Sequence, residues 1–155
     1  MDLSFHPAIV HLPIGIAMVL PLVAGYCAWR AWSSPARSAN WALVPVLAVI
    51  AFGAGKWAEE TGEEVEELVE AYVDHELIHH HEEAGELFVL LAGITCALAL
   101  AAFVLPSEKA RRVAMAMVLI SALATAGCAL RAGADGGEIV HEHGVRWAVP
   151  AGPGS

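Results

Sequence analysis

Positive charge is scarce in this chain. Eight Lys and Arg stand against seventeen Asp and Glu over 155 residues, for a net charge of −9. With so few cations and no basic patch, nucleic-acid binding is excluded. Cysteine is scarcer still. Cys27, Cys96 and Cys128 are odd in number, sit among apolar neighbours and form no CxxC, so they read as packing residues rather than a disulfide framework or a thiol redox motif. No nucleophile–base pattern of a named enzyme is visible. Gly53-Ala54-Gly55-Lys56 fails as a phosphate loop, because Ile50 stands where that loop needs Gly and Trp57 where it needs Ser or Thr. The N-terminus lacks a basic region, and Pro13 and Pro21 interrupt the apolar run that follows, which predicts a retained span rather than a cleaved signal peptide.

Apolar sequence is abundant instead. A hydrophobic fraction of 57% and a mean hydropathy of +0.59 exceed what a soluble domain of this size carries. The surplus lies in four stretches, 8–29, 41–57, 87–105 and 113–130, each near the ~20 residues that cross a bilayer. Backbone in lipid has to satisfy its own hydrogen bonds, so these predict helices. Ser33-Ser34-Pro35 and Pro106-Ser107-Glu108 supply the breakers between them. The expectation is an all-α membrane protein: one four-helix transmembrane bundle over 1–147, with 148–155 as a C-terminal tail.

Charge sets the orientation. Arg30 and Arg37 flank the first loop, and Lys109, Arg111 and Arg112 lie in the third. The segment Glu59 to Glu86 holds twelve of the seventeen acidic residues and no Lys or Arg. Loops one and three are therefore expected in the cytoplasm of a bacterial inner membrane, with both termini and the acidic segment on the periplasmic side. Trp29, Trp32 and Trp41 then form an inner interfacial belt, and Trp57 marks the outer edge. Within the acidic segment Val65, Leu68, Val69, Tyr72 and Val73 recur at helical spacing with glutamates on the other face, which predicts an extracytoplasmic amphipathic helix between spans two and three.

All eight histidines fall at that same outer end: His6, His11, His75, His79, His80, His81, His141 and His143. Imidazole is the commonest protein ligand for transition metals and serves haem iron equally. Pro7 suits a first helical position, so His6 reads as a cap-like residue at the mouth of span one and His11 lies about one turn inside. An ionisable group just inside a span defaults to a functional role. Steps of four along the segment before span three place His81 on an apolar stripe with Val73, Leu77 and Gly85, and His75 and His79 on a polar one. His81 is thus aimed into the bundle, His80 is intermediate, and the i, i+4 pair His75/His79 faces outward. Gly15 and Gly85 each follow an inward histidine by four residues, leaving room below it for a flat group. After span four the glycines of Gly133-Ala134-Asp135-Gly136-Gly137 predict a turn folding back over the mouth, from which His141 and His143 can complete a site.

These residues carry a resemblance. His6-Pro7, Val10-His11 and Pro13-Ile14, then His81-Glu82, then Gly136-Gly137-Glu138, Val140 and His143-Gly144 resemble three ordered motifs of the bacterial membrane family known as domain of unknown function 2231. The resemblance covers nearly the whole chain. It implies four spans and an outline similar to b-type haem membrane cytochromes, some relatives being joined to electron-transfer domains.

Three functional readings follow. The first is a haem b electron-transfer protein, with His11 and His81 as facing ligands, His6 and His143 as a second pair, and Glu82 and Glu138 tuning them. The second is a bare transition-metal site for zinc, copper, iron or nickel, built from His6, His11, His81 and His143 with Glu82 or Glu138, for binding or hand-off. The third is a cofactor-free interaction subunit whose histidines sense pH. Expected partners are the lipid bilayer, a periplasmic redox or metal-delivery protein, and further copies of the chain.

Overall fold

Every regular element in the computed structural model, which describes residues 5–33, 41–69 and 73–141, is helical. In chain order these are α1 (Phe5–Ser33), α2 (Leu43–Val69), α3 (His75–Val104) and α4 (Glu108–His141). α1 packs on α2 and α4, and α3 packs on α2 and α4; among the described residues the diagonal pairs α1/α3 and α2/α4 make no such contact. The result is a square up-down-up-down bundle.

Local chemistry sets the ends. Asp74 caps α3 by accepting from the Glu76 N–H at 3.2 Å, and Glu76 places negative charge in the first turn. At the far end Leu105 turns to extended backbone, its N–H still reaching the Ala101 carbonyl at 2.9 Å, and Pro106 prevents continuation. Ser107 restarts the chain: its hydroxyl takes the Ala110 N–H at 3.4 Å and its carbonyl the Arg111 N–H at 2.9 Å. Glu108 pairs with Arg112 on the same turn.

α1 over Ala8–Ser33, α3 and α4 over Glu108–Val140 are long and apolar enough to cross a membrane. Leu22, Val104 and Ile120 leave 73%, 72% and 69% of their surface uncovered, as a lipid-facing side requires. The interior is made of small residues. Ala24, Ala48, Ala99, Ala102 and Ala122 are buried around Leu20, Val44, Met115 and Val118, so the backbones approach closely. Between α3 and α4 the hydroxyls of Thr95, Ser121 and Thr125 meet at 2.7–3.1 Å.

Three expectations need correction. The acidic stretch over 59–69 is the upper part of α2 itself and not a separate amphipathic helix, since nothing between Trp57 and Val69 breaks the helix. The glycine-rich stretch after span four is likewise helical, α4 running unbroken through Gly133, Gly136 and Gly137 to His141. Finally, Trp41 is no interfacial anchor. It is only 1% exposed, and its Nε1–H donates to the Ala99 carbonyl at 3.3 Å, whereas Trp29, Trp32 and Trp57 are exposed. An indole that finds an acceptor inside the bundle has no need of the headgroup layer.

Candidate functional site

The histidine end of the bundle brings one imidazole from each of two diagonal helices toward its centre. Starting α1 at Phe5 puts His6 in the first helical turn rather than at a cap. The ring is half-buried, with Nδ1 at 3.1 Å from Thr61 Oγ1 on α2. Thr61 spends its own proton on the Ala58 carbonyl at 3.0 Å, so its oxygen accepts and Nδ1–H of His6 donates. Beneath the ring lies Gly62, where an added β-carbon would stand 3.2 Å from His6 Cε1.

His81 on α3 repeats this arrangement against α4. Its Nδ1 is 3.1 Å from the Ala132 carbonyl, and a carbonyl can only accept, so Nδ1 carries the hydrogen. The ring lies over Gly136, where an added β-carbon would be 3.0 Å from Cε1. Both imidazoles therefore keep the lone pair on Nε2. An Nδ1–H tied to a backbone or side-chain acceptor is the support that metal-ligating histidines use, fixing the tautomer and raising the basicity of Nε2.

The electrostatics are those of a close, partly desolvated pair. Burial pushes the His6 imidazole below its usual range, and the His81 ring pushes it the same way; the interaction with the Ala58 carbonyl opposes both. Asp135, one residue before Gly136, sets its carboxylate charge beside His81. Its Oδ2 is buried without a hydrogen-bond partner, the nearest cation being Arg131 Nε at 3.8 Å.

The remaining candidates scatter. His11 is exposed: five residues turn an α-helix by about 500°, so His11 points about 140° away from His6. Gly15 and Gly85, read as clearances below histidines, face open space, with nothing within 4 Å of an added β-carbon. The clearances that exist are Gly62 and Gly136, on the opposite helix of each hairpin. His75 and His79 are exposed, as the helical stripes predict; His80, expected to be intermediate, is exposed as well, and His79 and His80 lie beside Glu76, Glu82 and Glu83. Glu82 shares a hydrogen bond with Glu66, which raises the Glu66 carboxyl above its ordinary range. Glu138 is exposed on α4. His143 lies outside the described residues, as does the side chain of His141.

Sequence reasoning missed Thr61, Gly62, Asp135 and the Ala58 and Ala132 carbonyls. A glycine inside each of two polar helical segments is the available signal: Gly62 stands alone among glutamates, while Gly136 sits among Gly133 and Gly137 and so reads as part of a turn.

Two imidazoles anchored through Nδ1 would each offer an Nε2 lone pair to a metal centre. Protein sites for a bare ion usually supply three or four ligands. Among the described residues no group of three His, Cys, Asp or Glu side chains is placed to hold one. A porphyrin brings nitrogen ligands of its own, so two imidazoles would be enough to hold its iron. Comparison with protein-family models, curated proteins and solved structures gives no match.

Proposed function

We propose that this protein is a four-span bacterial inner-membrane cytochrome of b type, holding haem through His6 and His81 at the periplasmic end and carrying single electrons for a periplasmic partner. α2 supplies the fourth span over 43–57, and the acidic top of α2 continues beyond the lipid. The observation that carries the reading is the matched pair of half-buried imidazoles on diagonal helices, each with Nδ1–H engaged, which leaves the lone pair on Nε2. The resemblance of His6-Pro7, His81-Glu82 and Gly136-Gly137-Glu138 to the family known as domain of unknown function 2231 points the same way. Arg30, Lys109, Arg111 and Arg112 at the opposite end favour this orientation.

Bound haem would supply a reversible ferric–ferrous couple. The chain's own part is to hold two neutral imidazoles in one tautomer, to exclude water with Ile78 and Ile139, and to keep the Asp135 carboxylate near His81. The test is an absorption spectrum of detergent-purified protein, oxidised and then dithionite-reduced, beside elemental analysis. A Soret band with visible bands that sharpen on reduction is expected. It should be lost in His81→Ala and kept in His75→Ala. A featureless spectrum with stoichiometric zinc, copper, iron or nickel would replace haem by a bare-metal site completed by His143. Neither signal would leave a cofactor-free interaction subunit.

A further inference from the structure

The two halves of the chain are versions of one helical hairpin. Shifted by 75 positions, His6, Leu12, Ala17 and Ala24 of α1 fall on His81, Leu87, Ala92 and Ala99 of α3. Shifted by 74, Val44, Ala48, Gly53, Ala58, Gly62 and Glu64 of α2 fall on Val118, Ala122, Gly127, Ala132, Gly136 and Glu138 of α4. Burial keeps the same register. Ile9, Pro13, Ala17, Leu20 and Ala24 are buried, and so are their counterparts Ala84, Phe88, Ala92, Thr95 and Ala99. The packing agrees as well: α1 on α2 matches α3 on α4, α2 on α3 matches α4 on α1, and among the described residues neither diagonal pair is in contact. An axis running along the bundle relates α1 to α3 and α2 to α4.

The site obeys that axis. In each half a histidine in the first two turns of the odd helix lays its ring over a glycine of the even helix. In each half its Nδ1 is tied toward the alanine four residues before that glycine, through Thr61 to Ala58 in one and directly to Ala132 in the other. We infer that the chain carries a single ligand site on this pseudo-two-fold axis, formed by two equivalent His–Gly–Ala units, for a flat iron–porphyrin-type group bound through one Nε2 from each half.

This rests on the haem reading for the ligand's class, while the paired geometry stands on the repeat. A ligand on such an axis has to present two equivalent faces, which an iron porphyrin does. Under the same symmetry His11 corresponds to Glu86 and Glu82 to Pro7, so neither residue type recurs at its position in the other half. One deliberate asymmetry survives, since Thr61 stands where the other half has Asp135. His81 therefore has a carboxylate beside it and His6 a hydroxyl, and the two ligands differ in donor strength.

The experiment uses the full chain in detergent with 15N-labelled histidine. Two-bond nitrogen–proton correlation spectra of the ligand-free protein should show both His6 and His81 as Nδ1–H tautomers, assigned by His6→Gln and His81→Gln. An Nε2–H tautomer at either residue overturns the paired site. Hemin titration then reads the ligand. The wild type should form a six-coordinate low-spin complex. His6→Gly and His81→Gly should each weaken binding by a similar factor, about tenfold or more, and become five-coordinate, with added imidazole restoring the low-spin spectrum in both. A low-spin spectrum untouched by either substitution overturns the symmetric ligation. Absence of hemin binding by a wild type that shows both tautomers defeats the haem assignment and this choice of ligand together, leaving the paired geometry standing.

Discussion

His81 rests on Gly136 so closely that a β-carbon there would come within 3.0 Å of the ring's Cε1, while Nδ1 is held at 3.1 Å by Ala132 on the same face of α4. The ring cannot retreat from a larger residue without giving up that hydrogen bond. Gly136→Ala is therefore expected to destabilise by about 1–2 kcal/mol, overpacking outweighing the ~1 kcal/mol that alanine gains in a helix. Gly62→Ala, with 3.2 Å to His6, should cost less. Gly15→Ala and Gly85→Ala meet nothing and should gain up to ~1 kcal/mol. Thermal unfolding of the four variants in detergent checks the order.

The hydroxyl cluster between α3 and α4 offers a second test. Thr95 donates to the Leu91 carbonyl at 2.8 Å and Thr125 to the Ser121 carbonyl at 2.9 Å, so the Ser121 hydroxyl donates to Thr95 at 2.7 Å. Thr95→Val removes that acceptor at nearly constant volume. The expected loss is about 0.6–1.7 kcal/mol, the range for hydrogen bonds between membrane helices. Ser121→Ala made in the Thr95→Val background should cost almost nothing more, as measured by a double-mutant cycle.

Tryptophan substitutions should split sharply. Trp41→Phe empties part of a filled site and strands the Ala99 carbonyl's extra contact, for an expected loss of roughly 1–3 kcal/mol. Trp29→Phe and Trp57→Phe, at exposed positions, should stay within about 0.5 kcal/mol. Equal effects at Trp41 and Trp29 would return Trp41 to the interfacial belt.

Stability of the ligand-free protein should depend on pH through His6. Its folded pKa lies below the ordinary value of 6.5, first because of burial and then because of His81. The unfolded chain thus binds the proton more readily, so stability rises with pH between the two values. It should be complete above 6.5 and decline as pH falls from 6.5 through the folded pKa. Denaturation midpoints at stepped pH should show that decline in the wild type and a flatter profile in His6→Gln.

Much of the fold was legible in the sequence because lipid leaves the backbone few choices. Each expected stretch falls on a helix to within two residues at its ends, and the Pro106-Ser107 break and the Asp74 cap are local chemistry. What escaped was set by packing across helices. Gly136 and Gly137 read as a turn because glycine's usual meaning is backbone freedom, yet Gly136 serves here by having no side chain under His81. Trp41 read as an anchor because an indole in a span end usually is one, and only the Ala99 carbonyl on another helix says otherwise. The inward aim of His81 followed from a stripe of apolar residues. The position of His6 could not follow in the same way, since the decisive contact, Thr61, lies 55 residues away.

The length of α4 has a consequence for access. Its 34 residues span about 51 Å, against about 30 Å of hydrocarbon. If 113–130 lies in lipid, the part carrying Ala132, Asp135 and Gly136 would project as a collar of helix above the acyl chains, and α2 beyond Trp57 would match it in the proposed four-span arrangement. Under the proposed function, a partner docking there would meet protein and water, not lipid. Exchanging the host membrane for one several ångströms thicker or thinner should slide the spans while leaving His6 and His81 at the same height on their own helices, so the proposed site would be insulated from the bilayer that carries it.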